Sequence, residues 1–416
     1  MSAPGTAGGP AAAGAALRIM VVTDQYAPMV GGVPAVTSAL ARGLAQRGHA
    51  VSLLAPSPSW RGSAQADGRV SVRHRGSAPW PWYAGMRLAC LLGPAARRLV
   101  AAFAPDVIHI HSPVTLGVTA RMAARRLKIP VVYTNHYLPD NIQPGLRHRP
   151  RAFDALFYSY IVGFSNRCTH VTAPTATALR LLTDQGLRVP SRVISNGIDL
   201  GTYAPGPPDE RIRARYGLPS GRPLILSVGR LSPEKRVDVL LDAAARLTAG
   251  AHLAIAGTGP GEACLRARAA ALGLTGRAAR VSFLGFVPAA DLPAVYRLAD
   301  VFAIASEAEL QSLVTMEAMA TGVPVVAADS YALGDLVRHG TSGFLAPPGR
   351  AGQFAGYLDR LASDPPLRAR MAVESLRIIG GHERHRWLAE WESLYGELAA
   401  ARPTGARGAG GGEQAR

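Results

Sequence analysis

Short apolar runs rich in β-branched residues alternate with amphipathic helical stretches along most of the chain. In the first half, the runs that predict strands lie at 17–23, 50–55, 106–111, 130–134 and 169–173. The helical patterns between them lie at 34–47, 86–103, 115–127 and 151–166. This alternation is typical of parallel α/β architecture, in which a helix connects each strand to the next one in the sheet.

The same alternation starts again after residues 204–223, a stretch dense in proline and glycine that predicts a linker. The strands predicted beyond it lie at 224–228, 252–256, 281–284, 301–304 and 323–327. The predicted helices lie at 234–248, 261–272, 290–298, 312–320 and 332–338. We therefore expect an α/β chain of two doubly wound, Rossmann-like domains, 17–203 and 224–382, that face each other across a cleft.

The two ends of the chain have their own patterns. Residues 1–16 and 400–416 are rich in small residues and are expected to be disordered, whereas 383–399 predicts a helix that packs back on the first domain. The first residues lack the basic start of a signal peptide, and no uncharged apolar stretch reaches 18 residues. The three cysteines show no paired spacing, which favours the cytoplasm over an oxidising compartment.

The charge of the 416-residue chain is uneven, and this changes the picture of its partners. The formal net charge is +17, and residues 1–205 hold 21 Lys and Arg against seven Asp and no Glu, a net +14. Such a surface suits an anionic partner, either a membrane or a nucleic acid. Only two of the basic residues are lysines, so the excess of arginine is also open to explanation by codon bias.

The window from 305 to 328 contains the most informative candidate chemistry. Glu309 is followed, after seven residues, by Glu317, and a helix is expected to open near Ser312. The free N–H groups of Gln311, Ser312 and Leu313 at that helix start would form a cradle for a diphosphate. A carboxylate further along the helix could then accept hydrogen bonds from sugar hydroxyls.

This window resembles the E-x7-E segment of retaining GT-B glycosyltransferases, in particular those of family 4. In such enzymes Glu309 would orient the transferred sugar and Glu317 would accept from ribose hydroxyls. The segment Gly229-Arg230-Leu231 with Lys235 resembles the family's cationic clamp, which implies that Arg230 and Lys235 hold the donor diphosphate. The other residues that the resemblance assigns to the donor side are Gly229, Gly257 and Gly259.

The first domain carries two further matches to the family. Gly31-Gly32-Val33 follows the first strand and precedes a helix, so its backbone could approach a phosphate or an acceptor closely. His136 stands at the end of a strand that faces the expected cleft, and the family places a histidine there, close to the donor sugar. The predicted catalytic residues are therefore His136, Arg230, Lys235 and Glu309.

The resemblance implies a hexosyltransferase that uses a nucleotide-sugar donor of the UDP-glucose or GDP-mannose type and retains the configuration of the sugar. No Asp-x-Asp metal motif is visible, so cationic side chains are expected to replace a metal ion, and no cofactor is expected. Same-face attack, in which the leaving phosphate oxygen takes the proton of the acceptor, is implied by the family.

Three features of the sequence bear on the acceptor. Glu309-Leu310-Gln311 resembles a segment of lipid glucosyltransferases, and basic residues stand beside aromatic ones at 80–98 and 147–160. These features favour a peripheral membrane enzyme that glycosylates diacylglycerol or phosphatidylinositol. The alternatives are a soluble small acceptor, a GT-B epimerase and a nucleic-acid binder; few aromatic residues interleave with the basic stretches, which disfavours nucleic acid. The oligomeric state is not predicted.

Overall fold

The computed structural model describes residues 15–80, 86–89, 93–142, 150–276 and 279–402. Most of the two predicted tails, 1–16 and 400–416, and the basic run 147–149 lie outside these residues. The last described residues are bound to the first domain, because the Arg402 guanidinium donates to the carbonyl groups of Pro105 and Leu127. The expectation of disorder from residue 400 onwards was therefore wrong for its first residues.

The first domain is built on a doubly wound sheet. Its strands are β1 (Arg18–Val22), β2 (Ala50–Pro56), β3 (Ser63–Asp67), β4 (Val70–Arg75), β5 (Ser77–Pro79), β6 (Arg87–Ala89), β7 (Val107–Ile110), β8 (Val131–Thr134), β9 (His170–Ala173) and β10 (Ser191–Val193). The main sheet has the order β10-β9-β8-β7-β1-β2-β4-β3, in which β3 runs antiparallel to β4, and β5 pairs with β6 apart from it.

The helices of the first domain lie on both faces of this sheet, so that its central strands are buried. They are α1 (Gly32–Gln46), α2 (Gly93–Phe103), α3 (Thr115–Leu127), α4 (Pro139–Ile142), α5 (Arg151–Ser165) and α6 (Ala176–Thr183). One apolar cluster joins α2, α3 and α5 to one face, and another joins α1 to the opposite face. Burial on both faces explains why the strand segments are continuously apolar.

The second domain repeats the arrangement with an all-parallel sheet. Its strands are β11 (Leu224–Val228), β12 (His252–Ala256), β13 (Val281–Gly285), β14 (Val301–Ile304), β15 (Val325–Ala328) and β16 (Gly343–Ala346), in the order β13-β12-β11-β14-β15-β16. The helices are α7 (Glu210–Arg215), α8 (Val237–Ala244), α9 (Glu262–Ala271), α10 (Leu292–Arg297), α11 (Leu313–Ala320), α12 (Leu333–Leu336), α13 (Ala351–Ser363) and α14 (Pro365–Ile379).

Both sheets reverse their strand order at one point, and this positions the site. The reversal lies between β1 and β7 in the first domain and between β11 and β14 in the second. Loops that leave the carboxyl ends of such strands diverge and leave a crevice, which is where doubly wound folds bind ligands. The predicted residues Arg230 and Glu309 follow β11 and β14, and His136 follows β8.

The chain returns to the first domain at its end. Helix α15 (Arg384–Ala400) places Trp387, Leu388, Trp391 and Tyr395 in the apolar cluster formed by α1 and the strands β1 and β2. The two connections between the domains lie side by side, because Ile198 N–H donates to His382 and Arg384 N–H donates to Ile198. The second domain is therefore inserted between two neighbouring backbone segments of the first.

The predicted strands are present, with ends shifted by up to two residues, but several predicted helices differ. The helix predicted at 86–103 was wrong in its first part, where Arg87–Ala89 form β6 and α2 begins only at Gly93. Pro94 can occupy the first turn of a helix but not its interior, which explains the late start. Residues 210–215 of the predicted linker form α7, whose N–H groups are capped by Asp209.

Candidate active site

A cavity of about 360 Å³ lies between the two domains, at the carboxyl ends of both sheets. Its volume lies in the range of small-molecule sites. Of the predicted residues, its lining contains Gly31, Gly32, Val33, His136, Arg230, Lys235, Glu309, Gln311 and Leu313. The predicted residues that lie outside the described lining are Gly229, Gly257, Gly259, Ser312 and Glu317.

The centre of the second-domain wall is an ion pair between two predicted catalytic residues. Lys235 ends a 3₁₀ turn after β11, and its Nζ lies 2.6 Å from Oε1 of Glu309, in the loop after β14. Burial opposes the positive charge, but the Glu309 carboxylate outweighs it and raises the pKa of Lys235 above its usual value. Lys235 therefore remains cationic at neutral pH while half-exposed to the cavity.

A second charged group stands beside this pair. Arg230 Nε donates to Ser232 Oγ at 3.3 Å, and Ser232 Oγ donates to Glu234 Oε1 at 2.5 Å. The guanidinium also lies 3.6 Å from Glu234. Glu234 lines the cavity and had no predicted role; among the described residues its Oε2 finds no hydrogen-bond partner. The second-domain wall thus combines two cations with two carboxylates.

The loop that carries Glu309 is bound to the first domain on both sides. Thr175 Oγ1 donates to the Leu310 carbonyl at 3.0 Å. The Gln311 amide accepts from Asn196 N–H at 2.6 Å and donates to Ser195 Oγ at 2.8 Å. Gln311 was expected to contribute its backbone N–H to a diphosphate, and its side chain had no predicted function. The structure shows that the side chain joins the two domains.

Apolar contacts reinforce this joint. Ala308 and Leu310 pack with Leu138, Ala173 and Ala178 of the first domain in one buried cluster. Leu138 lies two residues beyond His136, so the cluster links the loop of Glu309 to the strand end that carries the histidine. The sequence pattern could not show this contact, because it depends on how the two domains meet.

Two of the predicted donor residues have partners within their own domain. Ser312 caps α11, since its Oγ accepts from Thr315 N–H at 3.3 Å. Glu317 accepts from the Tyr296 hydroxyl at 2.8 Å, and burial raises its pKa to about 7, against the opposing effect of hydrogen bonds from Tyr296 and Tyr203. Ribose binding by Glu317 stays a prediction.

Gly257 and Gly259 in the second domain are explained by close backbone packing. Gly257 has a φ of +139°, and a Cβ atom there would lie 1.9 Å from the Gly229 carbonyl oxygen. A Cβ atom on Gly259 would lie 2.4 Å from the carbonyl oxygen of Leu231. The turn after β12 therefore packs backbone against backbone on the turn after β11. These glycines hold the segment of Arg230 in place from behind the cavity.

The first-domain wall contains two polar features: His136, which follows β8, and the N-terminus of helix α1. His136 Nε2 lies 2.9 Å from Nδ1 of the buried His111, and burial lowers the pKa of His136 to about 4. Helix α1 begins at Gly32 without a side-chain cap and without an acidic residue in its first turn. Its positive N-terminus consequently faces the cavity beside a neutral histidine.

The rest of the first-domain wall is mostly apolar and was not predicted from the sequence. Aromatic and aliphatic side chains of the segment before α1, the β5–β6 region, the loop after β7 and helix α5 line it. They are Met29, Val30, Trp80, Met86, Pro113, Val114, Tyr137, Phe157, Tyr160 and Ile161. Trp80, Phe157 and Tyr160 stood only in the stretches considered for membrane contact, so the sequence gave no sign that they meet at one cavity.

The described parts of the chain contain neither a candidate metal site nor a candidate membrane-spanning helix. In these ranges no group of three or more His, Cys, Asp or Glu side chains could hold a metal ion. Independence from metal and from cofactors stays a prediction. A helix long and apolar enough to span a bilayer is likewise not found in the described parts of the chain.

The fold and the site define a class of protein: two Rossmann-like domains enclose a cavity with a cationic wall, as in GT-B glycosyltransferases. The sequence-family model for glycosyl transferases group 1 matches residues 208–375. The sequence-family model for glycosyltransferase family 4 matches residues 30–202. The chain belongs to this glycosyltransferase family. It is a hexosyltransferase that uses nucleotide sugars, as predicted from the E-x7-E segment.

Similar proteins cover nearly the whole chain. A GDP-mannose-dependent alpha-mannosyltransferase of Mycobacterium tuberculosis is 31% identical over 93% of this chain and 97% of its own length. An alpha-monoglucosyldiacylglycerol synthase of Streptococcus pneumoniae is 28% identical over 86% of this chain and 82% of its own. The structure of Anabaena HepE in complex with UDP and glucose has a TM-score of 0.73 at 24% identity, covering 91% and 99% of the two chains. This last likeness confirms the predicted fold.

Proposed function

We propose that the protein transfers a hexose, with retention, from a nucleotide-diphosphate sugar to a hydroxyl group of a lipid at an anionic membrane surface. The observation that carries the proposal is the contrast within one cavity. Lys235 and Glu309 form a charged wall, and Phe157, Tyr160 and Ile161 belong to an apolar wall opposite. A charged donor and an acceptor with an apolar part would each meet a matching surface.

The second-domain wall suits the donor. Charge grows on the leaving diphosphate as the bond from the anomeric carbon to the phosphate oxygen breaks, and Arg230 and Lys235 would counter this charge. Glu309 would hold the hydroxyls of the sugar. The acceptor oxygen would attack on the face that the diphosphate leaves, and its proton would pass to the leaving phosphate oxygen. His136 would contact the sugar from the first domain.

The relatives support both halves of this proposal. One is named for GDP-mannose as donor, and another for a diacylglycerol product. We propose a hexose carried by UDP or GDP, since these are the donors toward which the resemblance points.

The outer surface of α5 supports the membrane part of the proposal. Leu156 is 70% exposed and Tyr160 is 51% exposed, and the exposed Arg151 begins the same helix. Phe157, Tyr160 and Ile161 of the same helix line the cavity. A membrane that α5 contacts would therefore lie next to the apolar wall, and each cation near an anionic surface adds on the order of 1 kcal/mol.

A small phosphorylated acceptor is the second candidate. The uncapped N-terminus of α1 opens on the cavity at Gly32, and such a terminus binds phosphate. A relative from Frankia alni that is 33% identical over 84% of this chain is named D-inositol 3-phosphate glycosyltransferase. The apolar wall favours the lipid, because a free polyol phosphate would leave it uncovered.

The test is a donor screen by nucleotide release, in which UDP- and GDP-hexoses are each combined with lipid extract, inositol phosphate or buffer. We expect one donor to be consumed mainly with lipid, and the Glu309→Gln variant to lose this activity. Consumption with inositol phosphate alone would favour the second candidate. Full turnover by the Glu309→Gln variant would contradict the assigned site.

A further inference from the structure

Two side-chain pairs cross between the neighbouring strands β7 and β8. His109 Nε2 lies 2.6 Å from Thr134 Oγ1, and His111 Nδ1 lies 2.9 Å from His136 Nε2. The strands are parallel with His109 opposite Val132, and residues two positions apart point to the same face of a sheet, so Thr134 lies diagonally across from His109. His111 and His136 lie two residues further along each segment, just beyond the strand ends, and repeat this diagonal contact.

The two histidines form a closely packed neutral pair. The centroids of their rings are 5.2 Å apart, and the ring planes differ by 15°. His111 is fully buried, and desolvation together with its histidine neighbours lowers its pKa well below the usual value. His136 is also kept neutral by burial. At neutral pH each ring therefore carries one proton, and the nitrogens 2.9 Å apart must be one donor and one acceptor.

Two arrangements satisfy this bond, and they differ in what they leave at the far nitrogen of His111. Within the described residues, His111 Nε2 is buried and has no hydrogen-bond partner. If His136 donated, the proton of His111 would have to sit on this Nε2 as a buried, unbonded N–H group. If His111 donates, only a lone pair is left there. Orphaned buried N–H groups are the rarer case in proteins, so the second arrangement is favoured.

We propose that His111 is a positioning residue that donates from Nδ1 to His136 Nε2 and thereby fixes His136 as the Nδ1–H tautomer. Nε2 of His136 is occupied by this bond, so Nδ1 is the nitrogen left for a ligand in the cavity that His136 lines. His136 then presents a neutral hydrogen-bond donor to a sugar hydroxyl or a phosphate oxygen. It has no free lone pair with which to take a proton from the acceptor.

For the role of the His136 N–H group, the inference rests on the proposed function, which assigns to His136 a contact with the sugar. It excludes one role within that function, namely general base catalysis by His136. With His136 excluded, the leaving phosphate oxygen stays the proton acceptor that the same-face route of the proposed function assigns.

The direct test is the protonation of the ring nitrogens, measured by long-range ¹H–¹⁵N NMR on the full chain labelled in histidine. The His136 signals are identified by their loss in the His136→Gln variant. We expect a protonated Nδ1 and a bare Nε2 on His136 at neutral pH. A protonated Nε2 on His136 would overturn the proposal. Because no donor is needed, absence of any glycosyl transfer would count against the proposed function alone.

A kinetic test separates positioning from stability. The His111→Leu variant cannot donate, and we expect kcat to fall on the order of tenfold or more with little change in KM for the donor. The amide N–H of an asparagine side chain stands near the place of Nδ1, so the His111→Asn variant should keep most of kcat. Equal losses in both variants would contradict the proposal.

The matched control is His252→Leu. His252 is a buried histidine of β12 whose Nε2 bonds Ser282 at 2.9 Å, away from the cavity. This variant loses a buried histidine and one hydrogen bond, as His111→Leu does, but kcat should be unchanged in the folded fraction.

Discussion

The two walls of the cavity belong to domains of similar architecture, yet one wall carries charged groups and the other is neutral and mostly apolar. The second-domain wall keeps charge in a half-buried place, as in the pair of Lys235 and Glu309. The first-domain wall removes charge, since burial keeps His136 neutral beside a mostly apolar lining. Two similar doubly wound sheets thus provide the place for a ligand, and the loop residues determine which chemical groups the ligand contacts.

The largest expected effect tests the charged wall. Replacing Lys235 by Gln removes the cation and leaves Glu309 without its partner, so kcat/KM should fall by roughly 10² to 10³. Steady-state nucleotide release measures it. The chain offers a matched control in its only other lysine, the exposed Lys128 at the end of α3, whose Gln variant should behave as wild type. Equal activity of both variants would show that the cation of the second-domain wall is not needed for catalysis, and the contrast between the two walls would then have no functional meaning.

The next effect concerns the carboxylate of Glu317 on α11, which accepts a hydrogen bond from the Tyr296 hydroxyl. Burial raises the pKa of Glu317 from 4.5 to about 7. The folded protein therefore binds a proton more tightly than the unfolded chain, and its stability is full below about pH 4.5 and falls as the pH rises towards and through 7.

Denaturant unfolding at pH 5 and pH 8 measures this loss, which is up to about 3 kcal/mol for a shift of this size. The Glu317→Gln variant keeps an oxygen acceptor for Tyr296 but cannot ionise. We expect its free energy of unfolding to depend less on pH than that of wild type. The same pH dependence in both proteins would show that Glu317 is not the group responsible.

A smaller effect is expected where the two walls are joined. The Gln311→Ala variant loses the bonds to Asn196 and Ser195 and should lower kcat/KM by about tenfold, since two buried hydrogen bonds contribute about 1–3 kcal/mol together. The Gln311→Glu variant keeps an acceptor for Asn196 N–H but cannot donate to Ser195, so an intermediate loss is expected. Activity unchanged in both would show that the joint does not position Glu309.

The smallest effect tests the outer side of the apolar wall. Leu156→Ser on α5 should weaken flotation with anionic liposomes by a few-fold to about tenfold, because one apolar side chain contributes about 1–2 kcal/mol. Val373 on α14 is equally exposed, at 70%, and its Ser variant is the control that should bind as wild type does. Equal weakening by both changes would place the membrane contact elsewhere.

The sequence predicted the fold class and three charged residues of the second-domain wall, but not Glu234. The strands appear as continuous apolar runs because both sheets are buried on both faces, and Arg230, Lys235 and Glu309 stand in recognisable local segments. Each of these signals lies within a few residues of the chain, so it needs no knowledge of tertiary contacts.

The first-domain wall could not be predicted in the same way. Tyr137 follows β8, whereas Phe157 and Tyr160 lie on α5, and these two segments meet only through the packing of the folded domain. The contact of His111 with His136 depends on strand register, and the bonds of Gln311 depend on the meeting of two domains. Periodicity along the chain contains neither kind of information.

The side-by-side connections at Ile198 and Glu383 have a consequence for how such a chain can be recombined. The segment 199–382 enters and leaves the first domain at residues that are joined by a backbone bridge. The two covalent connections of this segment to the first domain therefore lie next to each other. A donor domain from a relative could replace this segment through two adjacent junctions. The activity of such a chimera would depend on whether the contacts that Gln311 and Thr175 make between the domains form again.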